Sequence, residues 1–322
     1  MKNEYIPTLR YQSDSRYSPI PSSDQLLQTV IAEPWLHVEE EFPNDLEGVS
    51  FDNEGNLWYV ESLASRIHKV DVETKKDVVV YEDPLKRSMS SSKHHKDGRV
   101  FIPSVGPDFD HGYIFTMNPD GTDYQVLMEG HTYDDLVFDS KGGFYYTHFT
   151  GDLSNLAGGV YYVAPDYKTV TPLLENLPGP NGVALSTDER FVWITETTGG
   201  RLLRVELKEG SPTEIVPFGA MAPFRFTGCP GPDSCEIDKD DNLYVAVFGQ
   251  AKVMVFNRRG FPIGQVLLRG RENGYFANCT HAHIRPGTNE LYICTRDDEE
   301  GAWIFRAGAF TEAFEESFQF QK

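Results

Sequence analysis

Apolar and polar positions alternate along the chain in units of one type. Each unit begins with a polar residue, runs through three or four strand-forming residues to an Asp or another turn residue, and ends after a short turn in an apolar strand. Alternation with period two, bounded by turn residues, is typical of β-hairpins. Clear copies occupy residues 47–60, 134–146, 181–194 and 233–246, and weaker copies occupy residues 90–102 and 281–294.

A second pair of strands is predicted after most copies, at residues 66–70, 159–163, 201–205 and 252–256. Four strands in roughly 45 residues are typical of one blade of a β-propeller. No long pattern with the 3.6-residue helical period interrupts the series. A parallel β-helix would have a shorter repeat, and a two-sheet sandwich would not need six similar units. The pattern therefore predicts an all-β fold, a six-bladed β-propeller.

The two ends of the chain are expected to close the ring. Residues 24–41 and 317–321 both contain strand-forming runs, and one end is predicted to supply a strand to a blade built mainly by the other, which would remove an open sheet edge. Residues 1–22 are rich in Ser and Pro and are expected to form an irregular arm. Residues 23–322 are then a single propeller domain.

Charge and cysteine content narrow the classes of function. The 322 residues carry 29 Lys and Arg against 49 Asp and Glu, a formal net charge of −20. Such a chain repels phosphate backbones, so we do not expect a nucleic-acid partner. The same charge also favours solubility. No apolar run approaches the ~20 residues that a membrane-spanning helix needs. The pattern indicates no oligomeric state.

The four cysteines, Cys229, Cys235, Cys279 and Cys294, form no C-x-x-C pair and are too few for a disulfide framework. The residues from Met1 to Tyr5 lack the apolar stretch of a signal peptide. We therefore expect reduced, mostly buried thiols and a cytoplasmic location.

The first residues of the four clear copies suggest the chemistry. They are Glu47, Asp134, Asn181 and Asp233. Equivalent positions of successive blades lie on one ring around a propeller axis, so four oxygen-bearing side chains are expected to converge. Three neighbouring carboxylates repel one another unless a cation neutralises them.

An all-oxygen set favours Ca²⁺, with Mg²⁺, Mn²⁺ or Zn²⁺ as possible substitutes. Four protein ligands would leave positions open for water and substrate. Two other interpretations stay open at this point. Each polar residue could only cap a loop or bond backbone amides, or the metal could only hold the channel together.

The motifs around these positions resemble the gluconolactonase, or senescence-marker-protein, family. The matching segments are Leu46-Glu47-Gly48, residues 134–145, residues 181–189 and Gly231-Pro232-Asp233-Ser234-Cys235, and the resemblance extends over nearly the whole chain. It implies a six-bladed propeller with one catalytic Ca²⁺, to which Ser234 also contributes. It further implies calcium-dependent hydrolysis of a lactone with Asp233 as acid and base.

Several positions depart from the family or extend its pattern. His148 stands where the family often has an Asp, and Glu61 and Glu196 occupy similar places after their own strands. These three side chains, with His281 at the start of the sixth copy, are candidates for contacts to substrate or to the metal ligands. The alternatives are a histidine bonded within its sheet and packing in the channel.

The resemblance also suggests a second calcium site. Asp110 and Gly112 match two positions of such a site in a relative, but the stretch from Glu129 to Asp134 is about four residues shorter here. The acid and threonine expected in that stretch do not align, which argues against the second calcium.

Other functions are compatible with the same residues. A metal-dependent propeller could hydrolyse another electrophile, such as a phosphotriester, or could be a non-catalytic scaffold held by its metal. A strictosidine-synthase-like propeller would not need this metal set. Aromatic residues in the predicted channel loops favour a hydrophobic or aromatic small-molecule lactone, and they are Phe109, Phe149, Phe224, Phe226 and Tyr275.

Overall fold

The structure, a computed structural model, describes residues 24–38, 45–228 and 230–314. These residues contain no α-helix, only two single-turn 3-10 helices at Asp24–Leu26 and Arg271–Asn273. The strands are β1 (Gln28–Val38), β2 (Leu46–Phe51), β3 (Leu57–Glu61), β4 (Arg66–Val70), β5 (Asp77–Glu82), β6 (Lys93–His94), β7 (Val100–Ser104), β8 (Tyr113–Met117), β9 (Gln125–Glu129), β10 (Tyr133–Phe138), β11 (Phe144–His148), β12 (Gly158–Val163), β13 (Val170–Leu177), β14 (Pro180–Leu185), β15 (Phe191–Glu196), β16 (Arg201–Leu207), β17 (Ile215–Arg225), β18 (Gly231–Ile237), β19 (Leu243–Phe248), β20 (Lys252–Phe256), β21 (Pro262–Leu268), β22 (Asn278–Ile284), β23 (Glu290–Asp297) and β24 (Gly301–Gly308). The predicted all-β fold class is confirmed.

The strands form four separate four-stranded sheets and one eight-stranded sheet. Each four-stranded sheet is a meander of consecutive strands, β2–β5, β6–β9, β10–β13 and β14–β17. The eight-stranded sheet has the order β18-β19-β20-β21-β1-β24-β23-β22, so β1 joins two sets of consecutive strands. The strands predicted at 66–70 and 252–256 coincide with β4 and β20.

Strand β1 connects the two ends of the chain. Its first half pairs in parallel with β21, from Gln28 opposite Gly264 onward, and its second half pairs antiparallel with β24, ending at Val38 opposite Ala302. The N-terminal segment therefore supplies a strand to sheets built by the C-terminal part, as expected. The proposed arm at 1–22 and the tail at 317–321 lie outside the described residues.

The first strands of the sheets form a closed ring. Strand β2 contacts β6 on one side and β22 on the other, β10 contacts β7 of the β6–β9 sheet, and contacts continue through β14 and β18 to β22. This ring brings the beginnings of the inner strands to one end of a central channel. None of the helices in the described ranges is long and apolar enough to cross a membrane.

The apolar core is divided among the interfaces between neighbouring sheets. Trp58 and Val60 of β3 pack with Ile102 and Phe115 of the next sheet. Tyr145 of β11 belongs in the same way to a cluster shared with β14 and β15. Cys235, Cys279 and Cys294 are free and buried, whereas Cys229 lies outside the described part of the chain.

Gly48 marks a close approach of two inner segments. It has φ +58°, and a Cβ atom there would lie 2.4 Å from the Cα atom of Ser91. We expect Gly48→Ala to lower the free energy of unfolding by about 2–4 kcal/mol, since it combines a strained backbone with overpacking. Urea denaturation measures the loss.

Gly287 provides the matched control for this substitution. It has φ +70°, and nothing lies within 4 Å of the Cβ atom that Gly287→Ala would add. This variant carries the backbone strain alone, about 1 kcal/mol. Equal losses for the two variants would show that the approach of Ser91 is not what requires glycine at position 48.

Candidate active site

A cavity of about 350 Å³ opens at the end of the ring where the inner strands begin. Glu47, Asp134, Asn181 and Asp233 all line it. The structure therefore brings the four predicted ligands together. The reason is topological, because each lies at the second or third residue of its strand, in β2, β10, β14 and β18.

The carboxylates in this cavity destabilise one another's charge. Burial, followed by the charges of Asp233 and Asp134, raises the pKa of Glu47 well above its usual range. Burial and the charge of Asp134 do the same to the pKa of Asp233. Burial and neighbouring Asp135 raise the pKa of Asp134 to about 8. A bound cation would reverse these shifts by favouring the charged forms.

Asn181 is arranged to present an oxygen. Its side chain is buried and hydrogen-bonds the carboxylate of Asp233, while its Oδ1 has no partner among the described residues. A buried amide oxygen without a partner is costly, so a ligand at this point would stabilise it. Asp233 Oδ1 accepts the backbone N–H of Ser234 at 2.9 Å, which orients the carboxylate. Ser234 is buried next to it.

This donor set fits a hard divalent cation. It consists of three carboxylates and one unpartnered amide oxygen, on the floor of an open cavity, and contains no sulfur. Within residues 24–38, 45–228 and 230–314, no three Asp, Glu, His or Cys side chains form a complete metal cluster.

The walls of the cavity are largely apolar. Phe109, Phe149, Phe248 and Leu63 line it above the polar floor, and none of its described lining residues is basic. Phe109 and Phe149 thus lie where the sequence suggested.

The other predicted aromatic residues lie elsewhere. Phe224 and Phe226 pack on Phe256, with ring centroids 5.0 and 5.8 Å away, and Tyr275 packs beside Phe276. These rings pack in or against the apolar clusters between sheets rather than at the cavity.

The two strand-end glutamates are bound by basic neighbours. Glu61 Oε2 lies 2.9 Å from Nε2 of His68, and both side chains are buried. Arg201 donates to both oxygens of buried Glu196. Neither glutamate lines the cavity, and their contribution to substrate binding stays a prediction.

His148 lies at the end of β11 and points toward His131. The two rings stack with centroids 4.1 Å apart, and the backbone N–H of Thr132 donates to His148 Nδ1. Burial, followed by the charge of His131, lowers the pKa of His148 to about 4. His148 is therefore neutral at pH 7, and its neighbour Phe149 is the residue that faces the cavity.

His281 belongs to a polar group deeper in the channel. It is fully buried, and neither ring nitrogen has a hydrogen-bond partner in the described part of the chain. A buried ion pair between Lys93 and Asp135, 3.5 Å apart, accompanies it, and His283 Nδ1 lies 3.1 Å from Glu236 Oε2. Burial and the nearby charge of Lys93 lower the pKa of His281 well below its usual range.

The two residues suggested for a second calcium lie in different environments. Asp110 is exposed in a loop, whereas Gly112 is buried and donates its N–H to the carbonyl of His131 at 2.9 Å. A second calcium stays a prediction.

Several residues near the cavity were not predicted from the sequence. Asp45 and Thr197 line it, and burial raises the pKa of Asp45. Asp45 could have been found as a further acid two residues before Glu47. Buried Thr147 and Thr195 donate to the carbonyls of Asn181 and Asp233, and their equivalent positions near the ends of β11 and β15 could have been noticed in the sequence.

Comparison with known proteins gives one consistent family. Residues 47–297 match the family model described as the SMP-30/Gluconolactonase/LRE-like region. The chain is 47% identical to the lactonase drp35 of Staphylococcus haemolyticus, over 100% of both chains. It is 46% identical to the lactonase drp35 of Staphylococcus aureus, again over 100% of both chains.

Solved structures share the fold at low sequence identity. A calcium-binding protein, regucalcin from Agrobacterium tumefaciens, has a TM-score of 0.73 at 19% identity and covers 92% of this chain and 100% of its own. A gluconolactonase from Xanthomonas campestris has a TM-score of 0.66 at 14% identity, over 87% of this chain and 98% of its own. These likenesses place the chain in the propeller fold of these proteins.

Proposed function

The chain belongs to the SMP-30/gluconolactonase/LRE-like family, and on that premise we propose that it is a calcium-dependent lactonase. One observation carries the proposal: Glu47, Asp134, Asn181 and Asp233 converge on the floor of one open cavity in a chain 47% identical to a lactonase. We further propose that residues 23–322 form one propeller of six blades, the sixth completed by β1.

Glu47, Asp134, Asn181 and Asp233 would hold the Ca²⁺, with Ser234 next to them, and Mg²⁺, Mn²⁺ or Zn²⁺ are possible substitutes. When bound, the ion polarises the lactone carbonyl and neutralises the charge that develops on its oxygen. The unpartnered Oδ1 of Asn181 and the mutually repelling carboxylates support this assignment.

Asp233 would move the proton. Its carboxylate accepts a proton from the water that attacks the carbonyl carbon, as the new C–O bond forms. The bond between that carbon and the ring oxygen then breaks, and Asp233 returns the proton to the leaving alkoxide. The product is an open-chain hydroxy acid. The Ser234 N–H, bonded to Asp233 Oδ1, keeps the carboxylate oriented through both steps.

The cavity walls bind the substrate and exclude water. Phe109, Phe149 and Phe248 offer apolar surface to the ring of the substrate, and the described lining offers no basic group to an anionic one. We therefore propose a neutral, hydrophobic or aromatic lactone in preference to a polar aldonolactone. Given the net charge of −20 and the buried free thiols, we also propose a cytoplasmic enzyme without a nucleic-acid or membrane partner.

A lactone panel tests the proposed function. Aromatic, aliphatic and aldonic lactones are assayed by acid release with calcium, with chelator, and with calcium restored. We expect hydrolysis only when calcium is present, with recovery on restoration. Phosphotriester turnover without lactone turnover would favour the alternative function, a phosphotriester hydrolase. A rise in Tm with calcium and no turnover of either substrate would favour a non-catalytic scaffold.

A further inference from the structure

The predicted metal ligands lie where the inner strands depart from regular pairing. The register of β2 with β3 shifts between Glu47 and Ser50. The same shift surrounds the ligand positions in β10, β14 and β18. Such β-bulges re-aim side chains, and they also release backbone groups from the sheet. Since the released groups are buried, they need partners elsewhere.

Two threonine hydroxyls satisfy released groups at three of these bulges, those of β10, β14 and β18. Thr147 Oγ1 accepts the N–H of Asp135 at 3.1 Å and lies 2.5 Å from the carbonyl oxygen of Asn181, to which it donates. Thr195 Oγ1 accepts the N–H of Gly182 at 2.7 Å and donates to the carbonyl oxygen of Asp233 at 2.5 Å. Both side chains are fully buried.

Each of these hydroxyls therefore joins two sheets. Thr147 connects the strand of Asp134 with that of Asn181, and Thr195 connects the strand of Asn181 with that of Asp233. Both make the same pair of bonds, one to an N–H of their own sheet and one to a carbonyl of the next.

Hydroxyls from neighbouring segments also reach β10 and β2. Ser90 Oγ donates to the carbonyl of Tyr133, directly before Asp134, at 2.9 Å. Thr280 Oγ1 donates to the carbonyl of Leu46, directly before Glu47, at 2.5 Å. All four ligand strands thus receive a buried hydroxyl at the ligand or the residue before it.

We propose that Thr147 and Thr195 are positioning residues that set the spacing of the oxygen ligands by bridging neighbouring ligand strands. The inference rests on the proposed metal-binding function of Asp134, Asn181 and Asp233. A hydroxyl can accept and donate at once, so it links two backbones at a fixed distance. Valine has the same shape and can do neither. Partners that orient ligands in this way are worth about 10- to 100-fold in metal affinity.

The test compares Thr195→Val with Thr195→Ser. Calcium affinity is measured by calorimetric titration of the purified full-length chain after chelation. We expect Thr195→Val to weaken calcium binding about tenfold or more and Thr195→Ser to restore most of it. Thr147→Val should act in the same direction.

Thr295→Val is the matched control. Thr295 is equally buried and donates to the carbonyl of Phe276, which carries no ligand. Its loss should lower the Tm of the calcium-free protein without changing the calcium Kd. If Thr195→Val behaves like Thr295→Val, with lower Tm and unchanged Kd, the positioning role is wrong and Thr195 is only structural.

The wild-type titration separates this inference from the proposed function. Calcium binding by a chain that hydrolyses no lactone would refute the lactonase while leaving the effect of Thr195→Val to decide the inference. A wild-type chain that binds no divalent cation would overturn both.

Discussion

Replacing Asp233 with Asn is expected to lower kcat for lactone hydrolysis by about 10²- to 10⁴-fold, the usual contribution of a general acid or base. Asparagine keeps the size and one oxygen but cannot accept the proton of the attacking water. The side chain lies on the cavity floor, oriented by the Ser234 N–H. Steady-state kinetics at saturating calcium measure the loss.

Comparing Glu47→Gln with Asp233→Asn distinguishes a residue that only binds the metal from one that also transfers the proton. Glu47 lies on the same floor, but only a metal-binding role is assigned to it. We expect saturating calcium to recover most of kcat for Glu47→Gln and none for Asp233→Asn. Asp238→Asn, just beyond the other end of β18, controls for loss of a buried Asp and should alter stability only. If calcium rescued both site variants alike, Asp233 would be a ligand and not the base.

Replacing Lys93 with Met is expected to lower the free energy of unfolding by about 3–5 kcal/mol. Lys93 and Asp135 are both buried, 3.5 Å apart, in the channel below the cavity. Removing the ammonium leaves the Asp135 carboxylate buried without its cation, although Ser91 and the Leu136 N–H still hydrogen-bond to it. Urea denaturation at pH 7 measures the effect.

A double-mutant cycle shows whether the pair is the cause. Asp135→Asn removes the charge that Lys93→Met strands, so the double variant should regain most of the stability lost by the single one. Two independent losses that simply add would contradict a direct coupling between the two side chains.

The features that the repeat itself determines were the most predictable from the sequence. A residue's place within its repeat unit can be counted directly in the sequence. That place determines the strand positions and the convergence of Glu47, Asp134, Asn181 and Asp233. The direction of Phe224 and Phe226 depends instead on how one sheet packs on the next, and these rings lie in the core rather than at the cavity.

The polar pairs of the channel depend on contacts between sheets and could not be predicted. Lys93 reaches Asp135 from another sheet, and nothing near either residue in the sequence identifies its partner. The threonine bridges are an intermediate case. Thr147 and Thr195 occupy the same place near the ends of β11 and β15, a regularity visible in the sequence, but their bonding across sheets needs the structure.

The pairing of β1 also has a consequence for how the chain matures during synthesis. The contact between Thr29 and Gln265 spans 236 residues, and β24 follows later still. At 5–20 residues per second, a ribosome needs on the order of 10–50 s to make that stretch. For this time the nascent strand, with Val30 and Ile31, has no sheet to join. A released, truncated chain could therefore contain all four proposed metal ligands and still lack the strand pairing that closes the ring around them.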